Sequence, residues 1–341
     1  MNKKILVVGG TGAMGVYLVP ELLKMGYIVD VLAWDAGVSN NQNLRYIQGN
    51  AKDYAIVEKI LKQEYAAVVD FMIYYTSDEY EHFLTLYLQH TEHYIFLSSY
   101  RVYADKEHPI KETSPRILDV TNDEKLLNSG DYCIYKAQTE DFLASSDFTN
   151  WTIVRPAITY SKHRFQLITM EYELVLRRMQ EKKTLVLPEP AMKKQATMSW
   201  AGDVARMLAR LVLNKQAYQE IYSVCTSEHH TWEEVAQIYQ RIGGLTYCTT
   251  DTDSFLNIIA PENIHAKQQL LLDRYYDRIM DNSKILNITG MKQSELMPLE
   301  QGLSRELAAF PRNYAWQQDI RIDRMNAFLQ KPKIRVLNKL S

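Results

Sequence analysis

This 341-residue chain has few cysteines, no long apolar run and only a small excess of charge of one sign. Its three cysteines, Cys133, Cys225 and Cys248, are scattered and form no Cys-x-x-Cys pair. This excludes a disulfide framework or a zinc motif built on cysteines. No stretch approaches the roughly 18 uninterrupted apolar residues of a membrane span. The formal net charge of -2 gives no overall attraction to nucleic acid or acidic membranes. We therefore expect a cytoplasmic protein with no metal site, no membrane partner and no nucleic-acid partner.

The fold class is indicated by a change of pattern near Pro156. Before it, short β-branched runs alternate with longer amphipathic stretches, which is typical of a parallel sheet flanked by helices. After it, the pattern becomes irregular. We predict an α/β fold with a Rossmann-type doubly wound parallel sheet at residues 1–160. A smaller C-terminal mixed α/β region at 161–330 would bind substrate and return some strands to the main sheet. A basic tail follows at 331–341.

Individual elements follow from the same periodicity. Short hydrophobic runs predict strands at residues 4–8, 28–34, 45–48, 67–73, 93–97 and 151–155. Amphipathic stretches predict helices at residues 13–24, 54–62, 79–89, 132–144, 166–180, 202–213 and 232–242. Thr231, with Glu234 three residues later, predicts a capping box for the last helix. The polar segment 105–131 has no clear period and predicts a long loop over a site.

A glycine-rich turn follows the first predicted strand, with Gly9, Gly12 and Gly15 spaced three residues apart. Small residues there allow a tight turn, close approach of a pyrophosphate and packing of the next helix on the strand. The free N–H groups and the dipole at the helix N-terminus favour the anion. The alternative is a glycine-rich turn that binds nothing. The predicted pyrophosphate site comprises Gly9, Thr11, Gly12, Ala13, Met14 and Gly15.

Asp35, at the end of the second predicted strand, is the candidate for holding the adenosine ribose. It lies about 20 residues past the glycines, where an acidic residue normally binds the ribose hydroxyls. No Arg or Lys close to it in sequence would neutralise a 2′-phosphate. We therefore expect NAD as the cofactor, with NADP less favoured. Asp35 can equally be a turn residue.

A single tyrosine among the 23, Tyr132, has a lysine four residues later, Lys136. On a helix, residues i and i+4 face the same side, so the phenol and the ammonium group would lie together. The pair follows the glycine turn and the Ser98-Ser99 pair that ends a predicted strand. A Tyr-x-x-x-Lys match alone is weak. In this order it indicates the site of a nicotinamide-dependent oxidoreductase.

From these motifs the chain resembles the extended short-chain dehydrogenases/reductases, the NAD-dependent epimerase/dehydratase family, over roughly residues 3–310. Segment 49–53 is similar to the family's Gly-Asp-x-x-Asp segment, with Asn50 in place of the adenine-contacting Asp and Ala51 after it. Segment 96–103 resembles the fifth-strand motif, in which Ser99 takes the catalytic position. Tyr132 and Lys136 match the catalytic pair.

The resemblance implies a mechanism for these residues. Tyr132 takes a proton from a substrate hydroxyl as the hydride passes to the nicotinamide, and Ser99 hydrogen-bonds the developing carbonyl. Lys136 also holds the nicotinamide ribose. A phenol has an ordinary pKa of about 10, and a nearby ammonium group moves that pKa toward the working range. The alternatives are a surface aromatic for Tyr132, a solvated lysine for Lys136 and a turn cap for Ser99.

The chain also departs from the family's pattern. Segment 70–74, Asp-Phe-Met-Ile-Tyr, stands where the family usually has His-Leu-Ala-Ala near the cofactor, and its bulk predicts a crowded nicotinamide pocket. Tyr100 and Arg101 replace the acid and base of 4,6-dehydratases, which argues against dehydration. The Asn that often follows two residues after the Pro is missing after Pro156.

Six cations of the C-terminal half are available to bind a substrate diphosphate, but they are interpreted as solvated surface charges. These are Arg177, Arg178, Lys193, Lys194, Arg274 and Arg278. The polar cluster at 273–284 resembles the segment that completes substrate pockets in the family. A salt-bridged loop between helices is the alternative.

The leading functional hypothesis is an NAD-dependent enzyme that acts on a secondary alcohol or ketone of a sugar, most plausibly a nucleotide-sugar epimerase. A reductase or dehydrogenase of a non-nucleotide small molecule is the first alternative. The second is a non-catalytic relative that senses nucleotides or binds RNA. The resemblance also implies a homodimer.

Overall fold

Short aliphatic runs form the strands of this chain in the computed structural model, which describes residues 3–261 and 263–330. Seven strands pair in parallel in the order β11-β6-β5-β4-β1-β2-β3. With helices flanking it, this is the Rossmann-type sheet that the sequence predicted. The strands are β1 (Lys4–Val8), β2 (Ile28–Ala33), β3 (Leu44–Gln48), β4 (Tyr65–Asp70), β5 (Thr91–Leu97), β6 (Trp151–Val154), β7 (Ile158–Tyr160), β8 (Leu185–Pro188), β9 (Gln195–Ala196), β10 (Met198–Trp200), β11 (Glu220–Tyr222), β12 (His230–Thr231) and β13 (Tyr247–Thr250).

The helices alternate with these strands in the first half of the chain. They are α1 (Gly15–Lys24), α2 (Tyr54–Leu61), α3 (Ser77–His90), α4 (Ile117–Val120), α5 (Glu124–Leu127), α6 (Tyr132–Ser145), α7 (Tyr172–Gln180), α8 (Ala201–Leu211), α9 (Trp232–Gly243), α10 (Thr252–Ile259), α11 (Ile264–Gln269), α12 (Ser283–Thr289), α13 (Leu299–Ala309) and α14 (Ile320–Leu329). A π-helical turn spans Leu270–Arg274, and 3₁₀ turns span Tyr100–Val102, Glu189–Ala191, Lys215–Ala217 and Gln293–Glu295. Among the described residues, none of these helices has the length and apolarity to cross a bilayer.

Both faces of the main sheet are buried. Successive side chains of a strand point to opposite faces, so β1 contributes to two cores. Ile5 and Val7 pack in one apolar cluster with residues of α1 and α8. Leu6 and Val8 pack in another with residues of α2 and α3. Burial on both faces explains the continuous aliphatic runs of the parallel strands.

The strand order places the segment after β1 beside the segment after β4 at the carboxyl edge of the sheet. Strand β1 has β2 on one side and β4 on the other, and Val8 is in register with both Leu32 and Asp70. Connections leave in opposite directions at such a switch point, and a crevice opens outside the strand ends. Gly9 and the segment that follows Asp70 therefore adjoin this crevice.

The chain divides into two units. The first comprises Met1–Thr159, Ser199–Ser227 and Met280–Leu296, and the second Tyr160–Met198, Glu228–Ile279 and Met297–Ser341. In the second unit, β13 pairs with β8 in parallel and β12 pairs with β9 antiparallel. Substrate binding by the region at 161–330 stays a prediction, and the basic tail at 331–341 lies outside the described residues.

The capping box predicted for α9 is confirmed. The Thr231 side chain accepts a hydrogen bond from the Glu234 backbone N–H at 3.1 Å, and the Glu234 carboxylate accepts one from the Thr231 N–H at 2.7 Å. Each side chain satisfies a donor that the first turn of a helix leaves without an intrahelical partner. This boundary follows from local chemistry alone.

Several predicted boundaries are wrong. Strand β4 ends at Asp70 instead of residue 73, because the Asp70 carboxylate accepts the Met72 N–H at 2.9 Å and turns the chain. Helix α7 begins at Tyr172 instead of 166, after a tight turn in which Leu167 and Met170 pair. Helix α1 begins at Gly15 instead of 13. The predicted loop at 105–131 contains the one-turn helices α4 and α5.

The interpretation of Arg178, Arg274 and Arg278 as surface charges is also wrong, since all three are buried. Arg274 and Arg278 both pair with the buried carboxylate of Asp273. Arg178 donates to the backbone carbonyl of Thr184. A planar guanidinium group with several donors can be buried when carboxylates and carbonyls satisfy it. For Asp273 and its two arginines, the structure favours the salt-bridged alternative.

A buried ionic network fixes α6 against the sheet. The Glu140 carboxylate accepts two hydrogen bonds from the Arg155 guanidinium group, at 2.8 and 2.6 Å. It also accepts one from the Ser98 hydroxyl at the end of β5 and one from Arg116 at 3.3 Å. Glu140, Arg155 and Ser98 are all buried. This network joins the middle of α6 to the ends of β5 and β6.

Changing Glu140→Gln is expected to lower the free energy of unfolding by about 3 to 5 kcal/mol, because it leaves the buried Arg155 charge uncompensated. Urea denaturation measures this loss. The matched control is Glu300→Gln, which removes the exposed pair with Arg241 and should change the midpoint little. Equal losses of unfolding free energy in the two variants would contradict the role of Glu140 as the buried counter-charge of Arg155.

His93 in β5 is a buried histidine held in its neutral form. Its Nδ1 accepts the Leu213 backbone N–H at 3.0 Å, so its Nε2 carries the proton and donates to the Thr152 hydroxyl at 2.8 Å. The ring stacks on Tyr218 with centroids 4.3 Å apart. Burial, together with the smaller effect of the Lys215 charge, lowers the pKa of His93 to about 3. Protonating Nδ1 would break the bond to Leu213.

The stability of the protein should therefore fall in mild acid. In the unfolded chain His93 binds a proton below its ordinary pKa of about 6.5, whereas the folded chain resists protonation down to about pH 3. Unfolding then takes up one proton, and the free energy of unfolding decreases by about 1.4 kcal/mol per pH unit below 6.5. Urea denaturation at pH 7 and pH 5 measures this slope. A His93→Gln variant should have a smaller slope by about that amount, and an unchanged slope would refute the assignment.

Candidate active site

The glycine turn lies at the carboxyl end of β1. Gly9 adopts a φ of 75°, a conformation that favours glycine, and its N–H donates to the Leu32 carbonyl at 2.8 Å. The Gly12 N–H then donates to the Gly9 carbonyl at 3.2 Å. A Cβ added to Gly15 would lie 2.4 Å from the Gly10 carbonyl oxygen. The turn and the start of α1 are therefore too close for larger residues.

The N-terminus of α1 has the chemistry that an anion requires. Met14 is the N-cap residue of α1. Its side chain makes no capping hydrogen bond to the first backbone N–H groups of the helix. The first turn carries no acidic residue either. The remaining predicted residues, Thr11 and Ala13, lie within the turn itself, partly exposed. These N–H groups and the helix dipole favour a phosphate.

Asp35 is exposed just beyond the end of β2. Its carboxylate accepts a hydrogen bond from the Thr11 hydroxyl at 3.2 Å. The structure thus brings the predicted ribose ligand next to the predicted pyrophosphate turn. A dinucleotide that spans both positions fits this arrangement.

Asn50 and Ala51 form the turn between β3 and α2. The Asn50 side-chain oxygen accepts the Lys52 N–H at 2.9 Å, and its backbone carbonyl accepts the Asp53 N–H at 3.0 Å. Ala51 is buried in the core on one face of the sheet. Asn50 therefore shapes the turn, and adenine contact by these two residues stays a prediction.

Ser99 and the Tyr132–Lys136 pair come from different elements. Ser99 follows β5, and its hydroxyl accepts the Arg101 N–H at 3.2 Å, as the cap of a 3₁₀ turn. Tyr132 is the first residue of α6, with its side chain partly exposed. One turn later, the Lys136 Nζ lies 5.7 Å from the centroid of the Tyr132 ring. The phenol and the ammonium group thus share one side of the helix.

The Lys136 side chain is buried at the edge of the sheet, with 2% of its surface exposed. Its Nζ donates to the Leu97 carbonyl at 2.6 Å and to the Met72 carbonyl at 3.1 Å. Burial lowers the pKa of Lys136 to about 8, and the carboxylates of Asp70 and Glu140 oppose that shift. Lys136 therefore titrates near the working range of an enzyme.

Arg101 is a site residue that sequence reasoning did not assign. Its guanidinium carbon lies 5.1 Å from the centroid of the Tyr132 ring. The same group pairs with Asp131 at 3.4 Å, and Asp131 caps α6 by accepting the Cys133 N–H at 2.9 Å. Tyr132 thus lies near two cations. The available signal was the departure of Arg101 from the dehydratase pattern.

The segment after β4 touches the glycine turn. A Cβ added to Gly9 would lie 3.3 Å from the Phe71 Cβ and 3.8 Å from the Met72 sulfur. Phe71, Met72 and Ile73 are partly exposed. The bulky segment therefore adjoins the glycine turn. Crowding of the nicotinamide pocket by this segment stays a prediction.

Comparison with known proteins finds a matching family and a curated relative. The model of a family described as NAD(P)H-binding matches residues 9–180. A curated relative, the chloroplast stem-loop binding protein of 41 kDa b from Arabidopsis thaliana, is 25% identical over 257 residues. The match covers 71% of this chain and 64% of the relative, so this chain spans less than two thirds of that protein's length.

Solved structures share the fold. The epimerase Mth375 of Methanothermobacter thermautotrophicus has a TM-score of 0.69 at 14% identity, over 90% of this chain and 93% of that one. The UDP-glucose 4-epimerase of Thermus thermophilus, in complex with NAD, has a TM-score of 0.68 at 18% identity, over 92% and 100%. The dTDP-glucose 4,6-dehydratase of Bacillus anthracis, also in complex with NAD, has a TM-score of 0.69 at 17% identity. The match covers 93% of this chain and 99% of that one. At these identities the likeness is one of fold.

Proposed function

This chain belongs to the NAD(P)H-binding family, and from that premise we propose that it is an oxidoreductase of the extended short-chain dehydrogenase/reductase type. It interconverts a secondary alcohol and a ketone, and a nucleotide-sugar epimerase is the leading form. The observation that carries the proposal is Lys136, buried one helical turn from Tyr132 with its ammonium group 5.7 Å from the phenol ring. A cation beside a phenol favours its ionised form, which supports a role for Tyr132 as a base.

The binding roles follow from position. The glycine turn from Gly9 to Gly15 holds the pyrophosphate at the N-terminus of α1, and Asp35 holds the adenosine ribose. Lys136 gives two of its three N–H groups to carbonyls, so the third serves the nicotinamide ribose. Asp35 supports NAD over NADP because a carboxylate repels a 2′-phosphate.

The chemistry uses three side chains. When bound, the cofactor supplies the hydride acceptor or donor. Tyr132 accepts the proton of the substrate hydroxyl, and Lys136 and Arg101 are the two cations that lie beside its ring. Ser99 donates a hydrogen bond to the carbonyl oxygen that forms. The reverse sequence of proton transfers reduces a ketone.

The epimerase form and the first alternative differ in how they hold the cofactor. An epimerase restores its cofactor in each cycle and retains it, whereas a reductase or dehydrogenase releases it each turnover. The solved neighbours include an epimerase with bound NAD, which supports the epimerase form. The bulky segment at 71–73 and the missing Asn after Pro156 support a non-nucleotide substrate. We also propose a homodimer.

A Tyr132→Phe variant is expected to keep NAD while losing turnover by a factor of about 10² to 10⁴, because only the proton-transferring hydroxyl is removed. Mass spectrometry of small molecules released from the denatured protein measures retained NAD. Conversion of UDP-glucose to its C4 epimer measures turnover, and reduction of added NAD by a panel of secondary alcohols tests the dehydrogenase form.

The matched control is Tyr135→Phe, on the same helix and also partly exposed, which should leave both measurements unchanged. Absence of any NAD, bound or added, would refute the cofactor site. Full turnover by Tyr132→Phe would refute the catalytic pair.

A second candidate function is nucleic-acid binding, which the stem-loop binding relative supports. The basic residues Lys331, Lys333, Arg335 and Lys339 near the C-terminus would suit such a partner. The net charge of -2 opposes it. Under the leading proposal we expect no binding of a stem-loop RNA at physiological salt.

Filter binding of a labelled stem-loop RNA between about 50 and 200 mM salt tests this, because phosphate contacts make affinity fall steeply over that range. A chain that ends at residue 330 is the control. Tight, salt-dependent binding that this truncation abolishes would establish the second function instead.

A further inference from the structure

Asp70 is a fully buried carboxylate that the proposed mechanism does not use. Its Oδ2 accepts hydrogen bonds from the Tyr74 hydroxyl at 2.7 Å and the Tyr94 hydroxyl at 2.8 Å. Its Oδ1 accepts the Met72 backbone N–H at 2.9 Å. Three donors converge on one carboxylate, which is the arrangement that stabilises an ionised acid without contact with water.

The same turn holds Lys136. The bond from the Met72 N–H to Asp70 fixes the peptide geometry after β4, and the Met72 carbonyl accepts the Lys136 ammonium group at 3.1 Å. The Phe71 N–H also donates to the Val8 carbonyl at 3.0 Å. Asp70 therefore orients one of the two carbonyls that position the lysine.

Charge balance points to the same residue. The carboxylates that favour the charged form of Lys136 are Asp70 and Glu140. Glu140 already pairs with Arg155 and Arg116. The hydrogen-bond donors to Asp70 are all neutral. Asp70 is thus the carboxylate whose charge is left to balance a buried ammonium group.

We propose that Asp70 is a positioning residue for Lys136, acting through the Met72 turn and as the counter-charge of the ammonium group. The two tyrosines hold the carboxylate in place. The structural role of Asp70 does not depend on the proposed function. Only the effect of that role on catalysis, which acts through Lys136, rests on it. Without Asp70, a larger fraction of the lysine would be neutral near pH 7, and the turn that carries the Met72 carbonyl would lose the contact that fixes it.

Several titratable groups surround Lys136, and its titration depends on all of them. Burial raises the pKa of Asp70, while its three hydrogen bonds and the charge of Lys136 oppose that rise. The stacked Tyr87 and Tyr94 and the nearby Tyr74 have pKa values well above the ordinary value because of burial. These tyrosines stay neutral where Lys136 titrates. The titratable groups that act on the lysine or lie beside it are Asp70, Glu140 and Tyr132. Tyr74 and Tyr94 act on it through their hydrogen bonds to Asp70.

The first test is an Asp70→Asn variant of the full chain with ¹³Cε-labelled lysine, followed by NMR through a pH titration. A Lys136→Met variant assigns the resonance. We expect the pKa of Lys136 to fall from about 8 by about one or more, the effect of removing a neighbouring opposite charge. An unchanged pKa would overturn the proposal.

The matched control is Asp30→Asn. Asp30 is also buried and also accepts a hydrogen bond from a tyrosine, Tyr65, but its charged partners are Lys4 and Arg45. This variant should leave the titration of Lys136 unchanged. An equal shift in both variants would mean general loosening of the sheet and would overturn the proposal.

A second measurement uses the unsubstituted chain, so it does not depend on whether Asp70→Asn folds. With ¹³C-labelled aspartate carboxyl groups, the resonance of Asp70 should titrate, and the Lys136 Cε resonance should respond at the same pH. Independent titrations would overturn the proposal. Linked titration in a protein that binds no NAD would leave it standing and refute the proposed function instead.

Discussion

The candidate site depends on burying one ammonium group at the edge of a parallel sheet. Lys136 donates to carbonyls at the end of β5 and just past β4, so it ties α6 to two neighbouring strands. Removing an ammonium group from water is costly, and carbonyls and a carboxylate must offset that cost. The positions of Met72, Leu97 and Asp70 are therefore constrained together.

Helix α6 combines this contact with a second buried ionic group. One turn after Lys136, Glu140 accepts hydrogen bonds from Ser98 and Arg155 at the ends of β5 and β6. The buried side chains of Lys136 and Glu140 each need specific partners. Together they fix the rotation of α6 about its axis and its position along the strands. Tyr132, one turn before Lys136, is thereby directed toward Arg101 and the carboxyl edge of the sheet.

The fold and the outline of the site were predictable because their signals are local. Aliphatic runs, the glycine spacing and the Thr231–Glu234 box each act within one or two turns of chain, and the fold class is confirmed. The failures at three arginines involve distant contacts. Arg178, Arg274 and Arg278 look like surface cations in sequence, but their partners are supplied by other segments. The end of β4 was missed because a side chain, Asp70, competes with the strand for the Met72 N–H.

The sequence by itself determined the alternation of strands and helices, the tight turn from Gly9 to Gly15 and the one-turn spacing of Tyr132 and Lys136. Each depends on backbone geometry over a few residues. The tertiary structure alone decided that β4 lies between β1 and β5, which brings Asp70 and Met72 to Lys136 and Gly9. Strand order follows from how whole elements pack, and no local pattern of residues specifies it.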